Sequence, residues 1–178
     1  EPSGAVNGAT FTQQPVVRIV DSGGNTVTTS TVNVVASIAS GTGTLSGTTT
    51  VAAISGVATF TNLVITGTVG NFTLTFTPTS LTAVTSNSFA LTFGTATASA
   101  ITTQPSGATP GVAFTTQPVV RIVDASGNTV TNSTVNVVAS IASGTGTLSG
   151  TTTVAAVSGV ATFTNLVITG TAGNFTLT

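Results

Sequence analysis

The stretch Phe11-Thr-Gln-Gln-Pro-Val-Val-Arg-Ile-Val-Asp21 returns as Phe114-Thr-Thr-Gln-Pro-Val-Val-Arg-Ile-Val-Asp124, and Thr31 to Ala53 returns unchanged as Thr134 to Ala156. Between residues 11–75 and 114–178 only six of sixty-five aligned positions differ, which sets a repeat of 103 residues. A period of that length is one whole domain, too long for a solenoid rung or a propeller blade. The 178 residues therefore read as two domains, 1–96 and 97–178. At about 100 residues per period, each can bury a real core without a metal or a disulfide.

Inside the quoted stretch the side chains alternate. Val17, Ile19 and Asp21 share one face of a strand, and Val16, Arg18 and Val20 share the other. The same period of two runs through the module. Val32, Val34, Ala36 and Ile38 line one face of 31–39, Ala58 and Phe60 alternate in 56–65, and Phe72, Leu74 and Phe76 fall together, as do Phe89, Leu91 and Phe93. β-Branched residues dominate these runs and Gly, Asn, Ser and Pro separate them, so the pattern predicts short strands, no helix, and an antiparallel β-sandwich.

Composition excludes several kinds of activity. The chain has forty-three threonines and twenty glycines, and no Cys, His, Lys, Met, Trp or Tyr; its ionisable side chains are Glu1, Arg18, Asp21, Arg121 and Asp124. Nucleic-acid binding needs clustered Lys and Arg, and two arginines a full repeat apart do not supply that field. A basic membrane-surface helix fails on the same count, and no apolar run reaches the roughly eighteen residues of a membrane-spanning helix. Without His, Cys or Lys, and without a local pair of carboxylates, the inventory offers no acid–base or nucleophilic machinery, so no enzyme and no cofactor are expected. Calcium wants six to eight oxygen ligands, and one internal acid per repeat falls short. Charged residues make up 3% of the chain, against roughly a quarter in an ordinary soluble domain, so its contacts are governed by something other than charge repulsion.

The register of the repeat also identifies what each module lacks. The first has no counterpart of the lead-in stretch Ala98 to Thr103, and the second none of Phe76 to Phe93; together the absent segment is equivalent to Phe76 through Thr103, 28 residues. The expectation is a window on a longer tandem array. The alternative is incomplete sandwiches whose open edges add strands from a neighbour. Both lead to a fibre.

Val17-x-Ile-x-Asp21-x-x-Gly24-Asn25-x-Val27, then Gly41-Thr-Gly-Thr-Leu45, Gly56-Val-Ala-Thr-Phe60 and Asn71-Phe-Thr-Leu-Thr-Phe76, together resemble bacterial immunoglobulin-like repeats, the tandem modules of invasin- and intimin-type adhesins and large surface proteins. The resemblance implies tandem immunoglobulin-like Greek-key β-sandwiches serving as a spacer or stalk outside a bacterial cell. It carries no binding site, because ligand contacts in that family usually lie in a terminal domain not evident here. The near-absence of charge and the unusual fidelity of the repeat depart from the family pattern.

Two sets of residues are singled out. Asp21, Gly24 and Asn25, with Asp124, Gly127 and Asn128, read as a structural turn in which the carboxylate accepts backbone N–H bonds. Val16, Arg18, Val20 and Val35, with Val119, Arg121, Val123 and Val138, fall opposite the expected core and read as a self-association surface; each valine buried contributes roughly 1.5–3 kcal/mol. Asn71-Phe-Thr73, Asn132-Ser-Thr134 and Asn174-Phe-Thr176 match the N-glycosylation pattern, a weak signal in a Thr-rich chain. The expected function is a structural module of an extracellular filament, sheath or surface layer whose partner is another copy of itself. The alternative is the stalk of a cell-surface adhesin that meets a glycan or another cell.

Overall fold

The computed structural model describes all 178 residues, and every regular element in it is a β-strand. The chain divides into two compact units, Glu1–Gly94 and Thr95–Thr178. The fold is all-β, an immunoglobulin-like sandwich without helix, as the alternation of apolar and hydroxylated residues requires.

In the first unit the strands are β1 (Ala5–Val6), β2 (Val16–Arg18), β3 (Asn33–Ser40), β4 (Gly43–Ser46), β5 (Thr50–Ala52), β6 (Val57–Thr59), β7 (Val64–Gly67), β8 (Gly70–Pro78), β9 (Val84–Thr85) and β10 (Phe89–Thr92). One layer has the order β1-β10-β8-β3-β5, with β9 also paired to β8. The other contains β2 against β6, with Val17 opposite Ala58. Sheet neighbours such as β3 and β8 are distant in sequence, the mark of Greek-key connections. β1 runs parallel to β10, with Ala5 opposite Leu91, whereas β10 and β3 run antiparallel to β8.

In the first unit the predicted apolar faces turn inward, although Asp21 is exposed and Phe93 half-buried. Val17 and Ile19 from one layer, and Val34, Ala36, Phe72, Leu74, Phe76, Phe89 and Leu91 from the other, meet with Phe60, Leu63 and Ile65 in one buried cluster. Val32 and Ile38 pack against its margin.

The second unit has β11 (Ala96–Thr103), β12 (Val119–Asp124), β13 (Asn136–Val138), β14 (Ile141–Ser143), β15 (Gly146–Ser149), β16 (Thr153–Ala155), β17 (Val160–Thr162), β18 (Val167–Gly170) and β19 (Thr176–Leu177). β11 is the lead-in strand expected from the repeat; it pairs with β12, which pairs with β17. The equivalent β2 pairs only with β6.

On the opposite layer the second unit is thinner. The eight-residue β3 is matched by two three-residue strands, β13 and β14. In the first unit the Leu74 to Pro78 stretch of β8 pairs along β3 from Ile38 to Val34. In the second unit the only counterpart of that ladder is the two-residue β19, whose Leu177 stands opposite Ile141. Its core cluster comes down to Phe114, Val120, Phe163, Leu166 and Ile168, with Val137, Ala139, Phe175 and Leu177 only half-buried.

The six substitutions between the copies all fall at exposed positions in both units: Gln13/Thr116, Ser22/Ala125, Gly23/Ser126, Thr29/Asn132, Ile54/Val157 and Val69/Ala172. Within 11–75 and 114–178 the buried residues are identical in the two copies. Close packing explains why, since a change of even one methylene in a core is felt.

Candidate functional site

The turn after β2 is built around its acid. Asp21 Oδ1 accepts from the backbone N–H groups of Gly23 and Asn25, both at 2.9 Å, and the Asn25 amide donates to both carboxylate oxygens at 3.3 Å. These bonds, first those from Asn25, hold the Asp21 carboxyl below its ordinary pKa. Asp124 repeats the arrangement with Ser126 and Asn128, at 2.9 and 3.0 Å. Gly24 and Gly127 take φ of 82° and 81°, in the left-handed region open to glycine. Position 23 is free of that demand, and Ser126 occupies it in the second copy. No three His, Cys, Asp or Glu residues gather anywhere in the chain.

Of the valine set, Val16, Val20, Val35 and Val138 are exposed, and so is Arg18. The remaining members depart from the expectation. Val123 is buried at 6% exposure, where Val20 is 48% exposed, and Ala98 of β11 is its pairing partner. Val119 and Arg121 are half-buried, and Arg121 donates from Nη1 to Thr129 Oγ1 at 3.0 Å. Nor do the exposed valines share one surface. Val16 and Val20 belong to the layer of β2, whereas Val35 lies on β3 between Thr50 and Thr77, on the outer face of the opposite layer.

One structural device went unread in the sequence. The Gln14 side chain behaves as a piece of backbone: its Nε2 donates to Leu63 O at 3.1 Å and its Oε1 accepts from Leu63 N at 3.0 Å. Gln117 does the same with Leu166, at 3.2 and 2.9 Å. The recurrence of Gln-Pro at both places was the available signal.

Among the concave surfaces of the second unit are two adjoining clefts. One, of about 540 Å³, is lined by Val120, Ile122, Val137, Phe163 and Leu177 among others. The other, of about 560 Å³, includes Ala108, Phe114, Ile168 and Phe175. Their walls carry no ionisable side chain.

These features define an immunoglobulin-like β-sandwich with apolar clefts and a nearly uncharged surface. No family model matches the sequence, and no curated protein does. Among solved structures, the D0-D1 domain of Intimin is similar at 19% identity and a TM-score of 0.37, over 98% of this chain and 85% of that one. A likeness of that size carries no functional argument.

Proposed function

We propose that the chain is a structural segment of a bacterial extracellular or cell-surface array, in which immunoglobulin-like modules set the length and their uncharged faces pack against neighbours. The observation that carries this reading is the exposure of Val35 and Val138 beside threonine, and of Val16 and Val20 on either side of Arg18, in a chain with five ionisable side chains. Water is a poor neighbour for such a face, and a second sheet of the same kind covers it at little electrostatic cost. Neither the clefts nor the turns gather groups suited to catalysis, so the surface is the part of the molecule with something to offer. The partner in this reading is another copy of the same module.

A stalk of an adhesin is the second reading, favoured by the burial of Val123 and the half-burial of Val119 and Arg121. Those residues leave the second copy with a smaller free face than the first, which suits a spacer that meets its ligand elsewhere. Sedimentation separates the two. A packing module assembles with rising concentration and as readily at high salt, because there are few charges to screen. Replacing Val16 and Val35 by lysine should return it to monomer. A chain with complete modules at both ends that stays monomeric at high concentration would overturn the array reading and leave the stalk.

A further inference from the structure

Three stretches carry the acceptor pattern for an N-linked sugar, and the fold treats them differently. The pattern needs the side-chain amide of an asparagine and the hydroxyl of a Ser or Thr two residues on, with any residue but proline between them. Asn71-Phe72-Thr73 lies in β8, where Asn71 stands opposite Ala90 of β10. Across the ladder to β3, the Thr73 hydroxyl bonds with Ser40 Oγ at 2.8 Å. In Asn174-Phe175-Thr176 the Thr176 hydroxyl meets Ser143 Oγ in the same way, at 2.6 Å. Both of these hydroxyls are committed to a neighbouring strand.

Asn132-Ser133-Thr134 lies outside every strand. A turn fixes its middle residue: Ser133 N–H donates to Val130 O at 2.9 Å, and Ser133 O accepts from Gly159 N–H at 3.1 Å. Ser133 is buried, whereas Asn132 and Thr134 on either side of it are exposed. With the middle side chain turned in, the amide and the hydroxyl are presented together to solvent. Neither has a hydrogen-bond partner in the chain. The turn does not need the asparagine. The first copy forms it with the same two bonds, Ser30 N–H to Val27 O at 2.9 Å and Gly56 N–H to Ser30 O at 3.1 Å, and has Thr29 where the second has Asn132. Nor does Asn132 take a positive φ, the backbone setting that often favours asparagine in turns.

We propose that Asn132 is the acceptor for an N-linked sugar in the folded chain, and that Asn71 and Asn174 are not. The co-reactant is a glycosyl phosphate donor, such as a nucleotide-activated hexose, brought by a glycosyltransferase that reads the exposed Thr134 hydroxyl. Asn132 Nδ2 forms the bond to the anomeric carbon, the bond from that carbon to the donor's phosphate oxygen breaks, and the phosphate leaves with the electron pair while the amide gives up one proton to solvent. The sugar marks the second copy and not the first, because Thr29 has no amide. It stands on a turn, off the strand faces, and adds hydrated surface to a chain nearly without charge. The assignment is the same for a packing module and for a stalk.

The test incubates the folded chain with UDP-glucose and a transferase first shown to glucosylate a synthetic peptide of residues 129–137, and maps the product by mass spectrometry. The expected result is one hexose per chain, on Asn132. Asn132→Gln and Thr134→Val should each abolish the transfer, and Thr134→Ser should keep it. Asn132→Gln should leave the unfolding midpoint unchanged, because its amide holds nothing in the turn. Thr29→Asn gives the first copy's turn the same pattern and should add a second hexose. A folded chain that stays unmodified while the peptide accepts sugar would overturn the proposal. So would hexose on Asn71 or Asn174 to the extent found on Asn132, since the strand-bound hydroxyls would then not decide the choice.

Discussion

Phe89 meets Phe11 edge-on, with ring centroids 5.6 Å apart and planes at 61°, although nearly the whole first unit separates them in sequence. The contact joins the last strand of the unit to the segment after its first strand, and so closes the sandwich. Edge-to-face pairs add about 0.5–1.5 kcal/mol beyond the area they bury. In the second unit Phe114 stands in the place of Phe11, but Phe175, the counterpart of Phe72, is only half-buried.

That asymmetry predicts unequal costs for equivalent substitutions. Phe72 is fully buried, whereas Phe175 is half-buried beside the open cleft. Phe72→Ala should destabilise the first unit by about 3–5 kcal/mol, the range for a buried Phe, and Phe175→Ala should cost the second unit clearly less. Amide hydrogen exchange, read separately for the two units, measures both. Equal losses would mean that Phe175 is as well packed as Phe72.

Two glycines with similar backbone angles should respond differently to alanine. Gly24, at φ 82°, has open space within 4 Å of the point where an alanine methyl would stand, so only the left-handed backbone penalises Gly24→Ala, by about 1–2 kcal/mol. Gly56, at φ 77°, sits in the tight turn between Ile54 and Val57, and a Cβ there would run into the carbonyl oxygen of Val27. Gly56→Ala adds that collision and should cost more than Gly24→Ala. Denaturant midpoints of the two variants give the order.

The carboxylate of Asp21 should make the first unit sensitive to acid. Its pKa is lowered in the folded state, so the stability it contributes is fully present above the ordinary aspartate value of about 4 and is lost as pH falls through the folded value. Asp21→Ala should therefore weaken the first unit at neutral pH, and its difference from the parent should shrink as pH falls below about 4. Unfolding curves from neutral pH to strong acid test the sign. A gap that widened in acid would contradict it.

Gln14→Ala should cost about 1–3 kcal/mol, because it leaves Leu63 N–H and C=O without the partners that Gln14 provides. Gln14→Glu keeps the acceptor and loses the donor, so an intermediate loss is expected. Exchange protection of the Leu63 amide should fall in Gln14→Ala and persist in Gln14→Glu.

Much of this architecture was legible in the residues. Strict alternation put Val17, Ile19, Val34, Ala36, Phe72, Leu74 and Phe76 in the core, because a strand has only two faces and one of them must leave water. The bonds around Asp21 and Asp124 were legible for a similar reason: Asp followed at four residues by Asn, with Gly before it, is a local pattern that closes on itself.

The division of the valines was not legible. Alternation distinguishes inside from outside within one strand, but it says nothing about which layer a strand joins, so Val16 and Val35 read alike and lie on opposite layers. Nor does it show what lies beside a strand. Val20 and Val123 have the same neighbours in sequence, yet only Val123 sits opposite a lead-in strand.

By itself, then, the sequence determined the strand faces, the absence of helix, the two-module count and the local turns, all of which follow from side-chain period and short-range backbone chemistry. Tertiary structure alone decided that Gln14 and Gln117 serve as strand edges, that β3 runs unbroken where its copy divides, and that Phe72 is fully buried while its copy Phe175 is half-buried. The physical reason is that burial and ladder pairing depend on residues far away in the chain. Identical segments therefore differ in burial according to what pairs beside them, as Val20 and Val123 do.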